Sequence, residues 1–223
     1  MESWARVLDA RVDSQGRVDY AGLAAAPGDL RQYIAWIADK GPGTEASPGV
    51  TRSQVLADHL NAYNALAMYS VLEAGVPLSL KDYGLVRFFW LRELRIGGRP
   101  LSLYAFEKRI RLLGDARVHF ALNCMAAGCP RLPRRPFRAG TLEPDLDNQT
   151  RSFFAEERNL QVDHAARVVS LTDIMSFFPE DFLAEAPSLI AWINRHTGQG
   201  IPEHYTVRFI PYDWTVAAQP GNR

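Results

Sequence analysis

The segment from Thr51 to Pro77 constrains the fold of this chain more than any other. Thr51 is followed three residues later by Gln54, which is the capping-box pattern of a helix start. Neither proline nor glycine interrupts the chain up to about Ala74, and Gly75 and Pro77 then supply the usual signals of a helix end. The pattern predicts one long helix, so the fold has to accommodate an element of this length.

Strands are predicted in pairs that are joined by short turns. Gly97-Gly98 lies between two short strand patterns, and a glycine pair suits the positive φ angles of a two-residue hairpin turn. Strands in hairpins do not alternate with helices, which disfavours a doubly wound parallel sheet. The predicted strands are residues 92–96 paired with 99–103, residues 159–163 paired with 167–171, and a last strand at 207–210.

Further helices outnumber these strands. We therefore predict the α+β class: a predominantly helical single domain over residues 1–223, with a small antiparallel sheet or hairpins. A flexible loop is predicted from Pro42 to Gly49, where glycine, proline and small polar residues cluster. The further helices are predicted at about residues 3–8, 29–40, 102–113, 141–154, 173–178 and 187–196.

Composition excludes some classes of partner. The chain has 223 residues, 47% of them hydrophobic, which is enough for a substantial core. Lys plus Arg equals Asp plus Glu at 25 each, so we expect no nucleic-acid partner. Apolar runs fall far short of the roughly 20 residues of a transmembrane helix. The start of the sequence has no secretory pattern, so we expect a soluble protein that is cytoplasmic as written, or exported if a leader was removed.

The segment from Arg117 to Pro130 combines His119, Cys124 and Cys129 with a closing Gly and Pro that force an irregular turn. A thiolate beside an imidazolium is a strong nucleophile at neutral pH, because the positive charge lowers the pKa of the thiol. This pattern makes Cys124 a candidate nucleophile and His119 its candidate base. The two residues are five apart, so they meet only if the chain turns after Asn123.

Other interpretations of the same segment stay open. Free cysteine is among the most buried residue types, so Cys124 could be a core residue beside a hydrogen-bonded histidine. A disulfide from Cys124 to Cys129 would close a short loop in an exported protein. A metal site needs about four ligands, and two cysteines with one upstream His119 supply three at most. We therefore expect no metal and no cofactor.

Polar residues elsewhere are candidates for the same site. Asn61 and Asn64 share one face of the long helix with Tyr63 nearby, and they either hold the backbone of neighbouring loops or line a pocket. Glu107 is either an exposed, ion-paired carboxylate or turned inward to orient His119. Asp213, between two aromatic residues near the end of the chain, is the alternative orienting acid.

Short motifs recur in order along the chain: Gly16 to Tyr20, Asn61 to Ala65, Phe106-Glu107, Arg117 to Cys124, Gly128 to Pro130, Asp181-Phe182 and Tyr212 to Trp214. Taken together, these motifs resemble the domain-of-unknown-function 547 family along most of the chain. Relatives are widespread in bacteria, often exported, and also occur in eukaryotes, and the resemblance implies a fold without implying an established activity. One departure is at Lys108, where the family often has His directly after the Glu.

Two functions remain as hypotheses. The first is a papain-like or transglutaminase-like thiol hydrolase or acyltransferase, with Cys124 as nucleophile, His119 as base, and Glu107 or Asp213 orienting the imidazole. Chain order argues against it, because such enzymes usually place Cys before His. The second is a non-catalytic module of the cell envelope that binds a peptide or saccharide in a pocket walled by Asn61, Asn64, Tyr63, His119 and Asp213. Under either hypothesis the partner is an unknown small molecule, peptide or saccharide.

Overall fold

Helices and two small sheets make up the computed structural model, which describes residues 1–42 and 49–221. About 51% of the chain is helical and 13% is in strands, so the predicted α+β class is confirmed. The α-helices are α1 (Glu2–Arg11), α2 (Tyr20–Ala25), α3 (Gly28–Asp39), α4 (Arg52–Glu73), α5 (Leu80–Tyr83), α6 (Leu103–Arg111), α7 (Leu142–Phe154), α8 (Ile174–Phe177), α9 (Pro179–Leu183) and α10 (Leu189–Thr197). The strands are β1 (Glu93–Ile96), β2 (Arg99–Ser102), β3 (Leu160–Asp163), β4 (Val168–Thr172) and β5 (Thr206–Ile210).

Shorter helical segments connect these elements. A π-helical turn spans Arg87–Leu91, and 3₁₀ segments span Ala116–Phe120 and Ala139–Thr141. Within the described ranges, no helix has the length and apolar character needed to cross a membrane. The loop predicted at Pro42 to Gly49 falls mostly on residues 43–48, which lie outside the described residues.

Helix α4 begins and ends where its signals predict. The Thr51 hydroxyl accepts a hydrogen bond from the backbone N–H of Gln54, and the helix ends at Glu73, just before Gly75. Most of its side chains from Val55 to Val71 are buried. A helix that is apolar nearly all round belongs in a core, and α3 and α6 accordingly pack against this one, while α1 packs on α3 in the same cluster.

The two predicted hairpins are present, and the last strand adds to one of them. Strands β1 and β2 pair antiparallel across Gly97 and Gly98, whose φ angles are 56° and 76°. Strands β3 and β4 also pair antiparallel, whereas β5 lies parallel to β4. The predicted arrangement of hairpins alone therefore omitted a parallel pair. Helices α8, α9 and α10 form the crossover connection that parallel neighbours require.

Buried apolar side chains form two clusters. The larger surrounds α4, and the smaller lies among α7, α9, α10 and the three-stranded sheet. The 3₁₀ segment Ala116–Phe120 contributes to both: Val118 packs into the larger cluster, while Ala116 and Phe120 pack into the smaller. Between these anchors lies His119, so the polar segment singled out in the sequence is positioned where the two clusters meet.

Candidate functional site

A cavity of about 580 Å³ opens beside the segment that carries the histidine and both cysteines. Its polar lining includes Tyr63, Glu107, His119, Cys124 and Cys129, all buried except the half-buried Glu107. We call it the aromatic cavity, because most of its wall is aromatic. The wall residues include Phe89, Trp90, Tyr104, Phe177, Phe178, Tyr212 and Trp214.

A tight loop brings the two cysteines together. The side chain of Asn123 accepts a hydrogen bond from the N–H of Met125 at 2.6 Å and donates one to the carbonyl of Pro130 at 2.6 Å. Met125 takes a left-handed conformation, with φ 71°, so the chain reverses directly after Cys124. The two sulfur atoms then lie 3.1 Å apart, both as free thiols, with Cys129 returning to the side of Cys124.

The two thiols are not equivalent. Burial raises the pKa of Cys129, but hydrogen bonds from the Cys124 thiol, the Tyr212 hydroxyl and the backbone N–H groups of Ala126 and Cys124 outweigh it, and the pKa is lowered. The Tyr212 oxygen lies 2.9 Å and the Cys124 nitrogen 3.1 Å from the Cys129 sulfur. By contrast, the hydrogen bond that Cys124 donates to Cys129, together with burial, raises the pKa of Cys124 well above its ordinary value. The hydrogen bonds from the Cys124 N–H and the Tyr212 hydroxyl therefore favour the thiolate form of Cys129.

His119 is held by an acid from a distant part of the chain. Its Nε2 lies 2.8 Å from Oδ2 of Asp181, and Arg111 Nε donates to the same oxygen at 2.6 Å. Burial favours a higher pKa for Asp181, but the hydrogen bonds from His119 and Arg111 prevail and lower it to about 2. Because the ionised carboxylate only accepts, Nε2 carries the proton and the neutral ring keeps its lone pair on Nδ1. The ring also stacks on Phe178 at 5.2 Å.

Glu107 is turned inward, toward Tyr63. Its Oε2 accepts a hydrogen bond from the Tyr63 hydroxyl at 2.8 Å. Burial raises the pKa of Glu107, and the charge of Asp181 adds to this, while the Tyr63 hydrogen bond and the charges of His119 and Arg111 oppose it. The sequence suggested Glu107 as the acid that orients His119. In the structure both residues line the cavity, but the carboxylate bonded to His119 is that of Asp181.

Asn61 and Asn64 hold loops to α4. Asn61 donates to the carbonyl of Phe137 at 2.9 Å and accepts from its N–H at 3.0 Å. Asn64 donates to the carbonyl of Ala121 at 3.0 Å and accepts from the N–H of Asn123 at 2.8 Å. Of the two roles that the sequence left open, these contacts are those of loop support. Tyr63, between them, is the residue of this group that lines the aromatic cavity.

Asp213 faces a different cleft. It is exposed, and its Oδ1 accepts a hydrogen bond from the N–H of Thr215 at 2.9 Å. This second cleft, also about 580 Å³, lies on the other side of Cys129 and Tyr212, and Arg131 and Arg158 line it. The structure therefore separates Asp213 from the wall that contains His119.

Sequence reasoning did not give Asp181 or Tyr212 a role in the site. Both nevertheless belong to the short motifs on which the family resemblance rests, so those motifs were the available signal. Among the residues that the structure describes, no group of three or more His, Cys, Asp or Glu side chains could hold a metal ion.

The fold and site together define an α+β protein in which a thiol pair and a histidine line one aromatic cavity, with Asp181 bonded to that histidine. The family model described as "Protein of unknown function, DUF547" matches residues 48–154 and confirms the resemblance over that part of the chain. The matched residues include Glu107, His119 and both cysteines, whereas Asp181 and Tyr212 follow them in the chain. No curated protein and no solved structure matches the chain.

Proposed function

We propose that this protein is a cysteine-dependent hydrolase or acyltransferase, with Cys129 as its nucleophile. The observation that carries the proposal is the set of donors around the Cys129 sulfur, which lower the pKa of this thiol despite its burial. Thiolate, not thiol, is the reactive form of cysteine. The sequence suggested Cys124 as the nucleophile. The raised pKa of Cys124 and the lowered pKa of Cys129 favour Cys129 instead, and Cys124 then donates a hydrogen bond to the thiolate.

The proposed reaction is acyl transfer in two steps. The proton of the Cys129 thiol passes to the neutral His119, and the resulting thiolate attacks a carbonyl carbon. The protonated imidazole then gives a proton to the leaving group as the bond to it breaks. In the second step, the neutral His119 takes a proton from water or another acceptor, which attacks the thioester and releases the thiolate. Asp181 holds the imidazole in one tautomer and stabilises its charged form.

The proposed site resembles those of papain-like and transglutaminase-like enzymes in its chemical groups and in the role of each group. A cysteine, a histidine and an acid act together in both cases. The chain order here is His119, Cys129, Asp181, which differs from the usual order with Cys first. Since such sets recur on unrelated folds in different chain orders, this difference does not exclude the chemistry.

One observation favours the alternative, a non-catalytic module that binds a peptide or saccharide. Only 8% of Cys124 and 5% of Cys129 is exposed, and low exposure is typical of structural cysteines. Both residues line the aromatic cavity, and Cys129 also lines the second cleft. A reagent small enough to enter that cavity therefore distinguishes the two functions.

The test is the rate of alkylation by iodoacetamide against pH, with mass spectrometry separating Cys124 from Cys129 in the native protein. We expect Cys129 to react first, with an apparent pKa below the free value of about 8.5. Tyr212→Phe removes one donor to the sulfur and should raise that apparent pKa. Tyr104→Phe is the matched control, because it removes a hydroxyl from the same cavity wall without touching the thiols.

Each other outcome contradicts the assignment in a defined way. If Cys124 is labelled faster than Cys129, Cys124 and not Cys129 is the nucleophile. Labelling of neither thiol until the protein is unfolded would support the binding module instead. Labelling only after reduction would identify a disulfide from Cys124 to Cys129.

A further inference from the structure

We propose that the substrate group bound in the aromatic cavity is an uncharged, apolar acyl group with an alkyl chain of medium length. The inference rests on the proposed function, and it adds the class of substrate. The inference depends on three properties of the cavity: the hydrogen bonds of its polar side chains, the side chains exposed at its rim, and its volume.

Most of the polar side chains that line the cavity are engaged with one another or with Asp181. The Tyr63 hydroxyl is bonded to Glu107, His119 Nε2 to Asp181, and the thiols to each other and to Tyr212. Of the residues that line the cavity, only Glu107 and His119 are ionisable apart from the cysteines and tyrosines. A saccharide or a charged group would thus bury polar atoms with few partners, which is unfavourable.

The rim of the cavity leaves large apolar side chains in water. Val86 is 61% exposed, Trp90 48% and Phe177 43%, and all three line the cavity. Trp90 belongs to the π-helical turn Arg87–Leu91, a rare type of turn that is frequent at functional sites. Clustered exposed apolar side chains mark binding surfaces, and an apolar ligand would cover these.

The volume of the cavity and the position of Cys129 determine how long the bound acyl group is and which way it runs. A volume of about 580 Å³ lies within the range of small-molecule sites, and an acetyl group would fill only a small part of it. A carbonyl carbon bonded to the sulfur of Cys129 would lie against a buried part of the wall, because Cys129 is 5% exposed. The rest of the acyl group would then extend along Phe89 and Phe178 toward the exposed rim.

The first experiment compares kcat/KM for the 4-nitrophenyl esters of acetate, butanoate, octanoate and dodecanoate. We expect about a tenfold or larger increase from acetate to octanoate, because each added methylene group is buried against the wall. Trp90→Ala should reduce the rate with octanoate more than the rate with acetate. Leu91→Ala is the matched control, since Leu91 lies on the same turn, is 69% exposed and does not line the cavity.

The second experiment separates binding from catalysis. Cys129→Ser, with its fold checked by circular dichroism, is titrated with octanamide, acetamide and N-acetylglucosamine, and the fluorescence of Trp90 and Trp214 reports on occupancy of the cavity. Preferential binding of octanamide is the expected result. If octanamide binds preferentially but the unaltered protein hydrolyses no ester, the proposed acyl-transfer function is wrong while the apolar specificity of the cavity is supported.

Two results would overturn the inference itself. If ester hydrolysis depends on Cys129 but not on the length of the acyl chain, the protein is a thiol enzyme but the apolar acyl specificity is wrong. Tighter binding of N-acetylglucosamine than of octanamide would assign the cavity to a saccharide.

Discussion

At the scale of single residues, Asp181 determines what His119 can do. One oxygen of its carboxylate accepts hydrogen bonds from both the His119 ring and the Arg111 guanidinium. The Arg111 guanidinium also lies over the Phe178 ring, 3.7 Å from its centroid. These contacts keep the carboxylate ionised in spite of partial burial. An ionised acid at Nε2 fixes which ring nitrogen of His119 is protonated, so Asp181 is a positioning residue for the imidazole.

The lowered pKa of Asp181 predicts how stability depends on pH. Its pKa is about 2 in the folded protein against an ordinary value of 3.8, so unfolding binds a proton between these values. The stabilisation, about 2 kcal/mol by the conversion of 1.36 kcal/mol for each tenfold change, is present above about pH 4 and is lost as the pH falls toward 2. Urea denaturation of the protein and of Asp181→Asn at several pH values measures it.

We expect the difference in unfolding free energy between the two proteins to be largest at neutral pH and to shrink below about pH 4. The matched control is Asp213→Asn, which makes the same change at an exposed carboxylate in the other cleft. A difference that stays constant down to pH 2 would show that the carboxylate is not held in its charged form by His119 and Arg111.

The candidate site was only partly predictable at this scale. The proximity of His119 to the cysteines in the chain was sufficient to locate the segment. The partner of His119 was not predictable from spacing, because Asp181 follows it by 62 residues and reaches it only when α9 packs against the 3₁₀ segment. Likewise, the difference between Cys124 and Cys129 arises from Tyr212, 83 residues beyond Cys129, and from a turn whose hydrogen bonds no spacing encodes.

At the scale of elements, α4 supports the cavity through its asparagines. Asn64 makes a reciprocal pair of buried hydrogen bonds to Ala121 and Asn123, the residues between His119 and Cys124. Asparagine has a low helix propensity, so its presence in the middle of a buried helix calls for a compensating role. Here the role is to satisfy the backbone of a loop that has no strand or helix partner.

Asn64→Ala should therefore destabilise the protein by about 2–4 kcal/mol, because it leaves a buried N–H and a buried carbonyl without partners. Urea denaturation measures the loss. Ser70→Ala is the matched control on the same helix: the Ser70 hydroxyl is buried and has no hydrogen-bond partner within the described residues, so its removal should cost little. Equal effects of the two substitutions would contradict the loop-support role.

Local signals predicted the elements better than their arrangement. Cap residues such as Thr51 and Ser102 and the Gly97-Gly98 turn act within a few residues, so the sequence contains the whole cause of those helix starts and that hairpin. The parallel pairing of β5 with β4 depends instead on how α8, α9 and α10 pack between them. That packing is decided by contacts between distant residues, which a single sequence does not display.

At the scale of the whole molecule, the two apolar clusters share their boundary with the site. The 3₁₀ segment Ala116–Phe120 supplies side chains to both clusters, and Tyr212 packs against both. Phe120 is fully buried in the smaller cluster, 4.9 Å from Phe153 and 4.8 Å from Phe154 between ring centroids. Because the joining segment is itself buried, neither cluster can lose its structure without exposing part of the other.

We therefore predict that residues 1–223 unfold as one cooperative domain. Phe120→Ala should cost about 3–5 kcal/mol and should lower the protection of backbone amides equally in α4 and α10, which belong to different clusters. Hydrogen exchange in urea, followed by mass spectrometry of the two helices, measures both. Leu112→Ala is the control, since Leu112 is 76% exposed. Loss of protection in α10 with α4 unchanged would mean two independently folding units with the cavity at their junction, and ligand binding would then depend on how they associate.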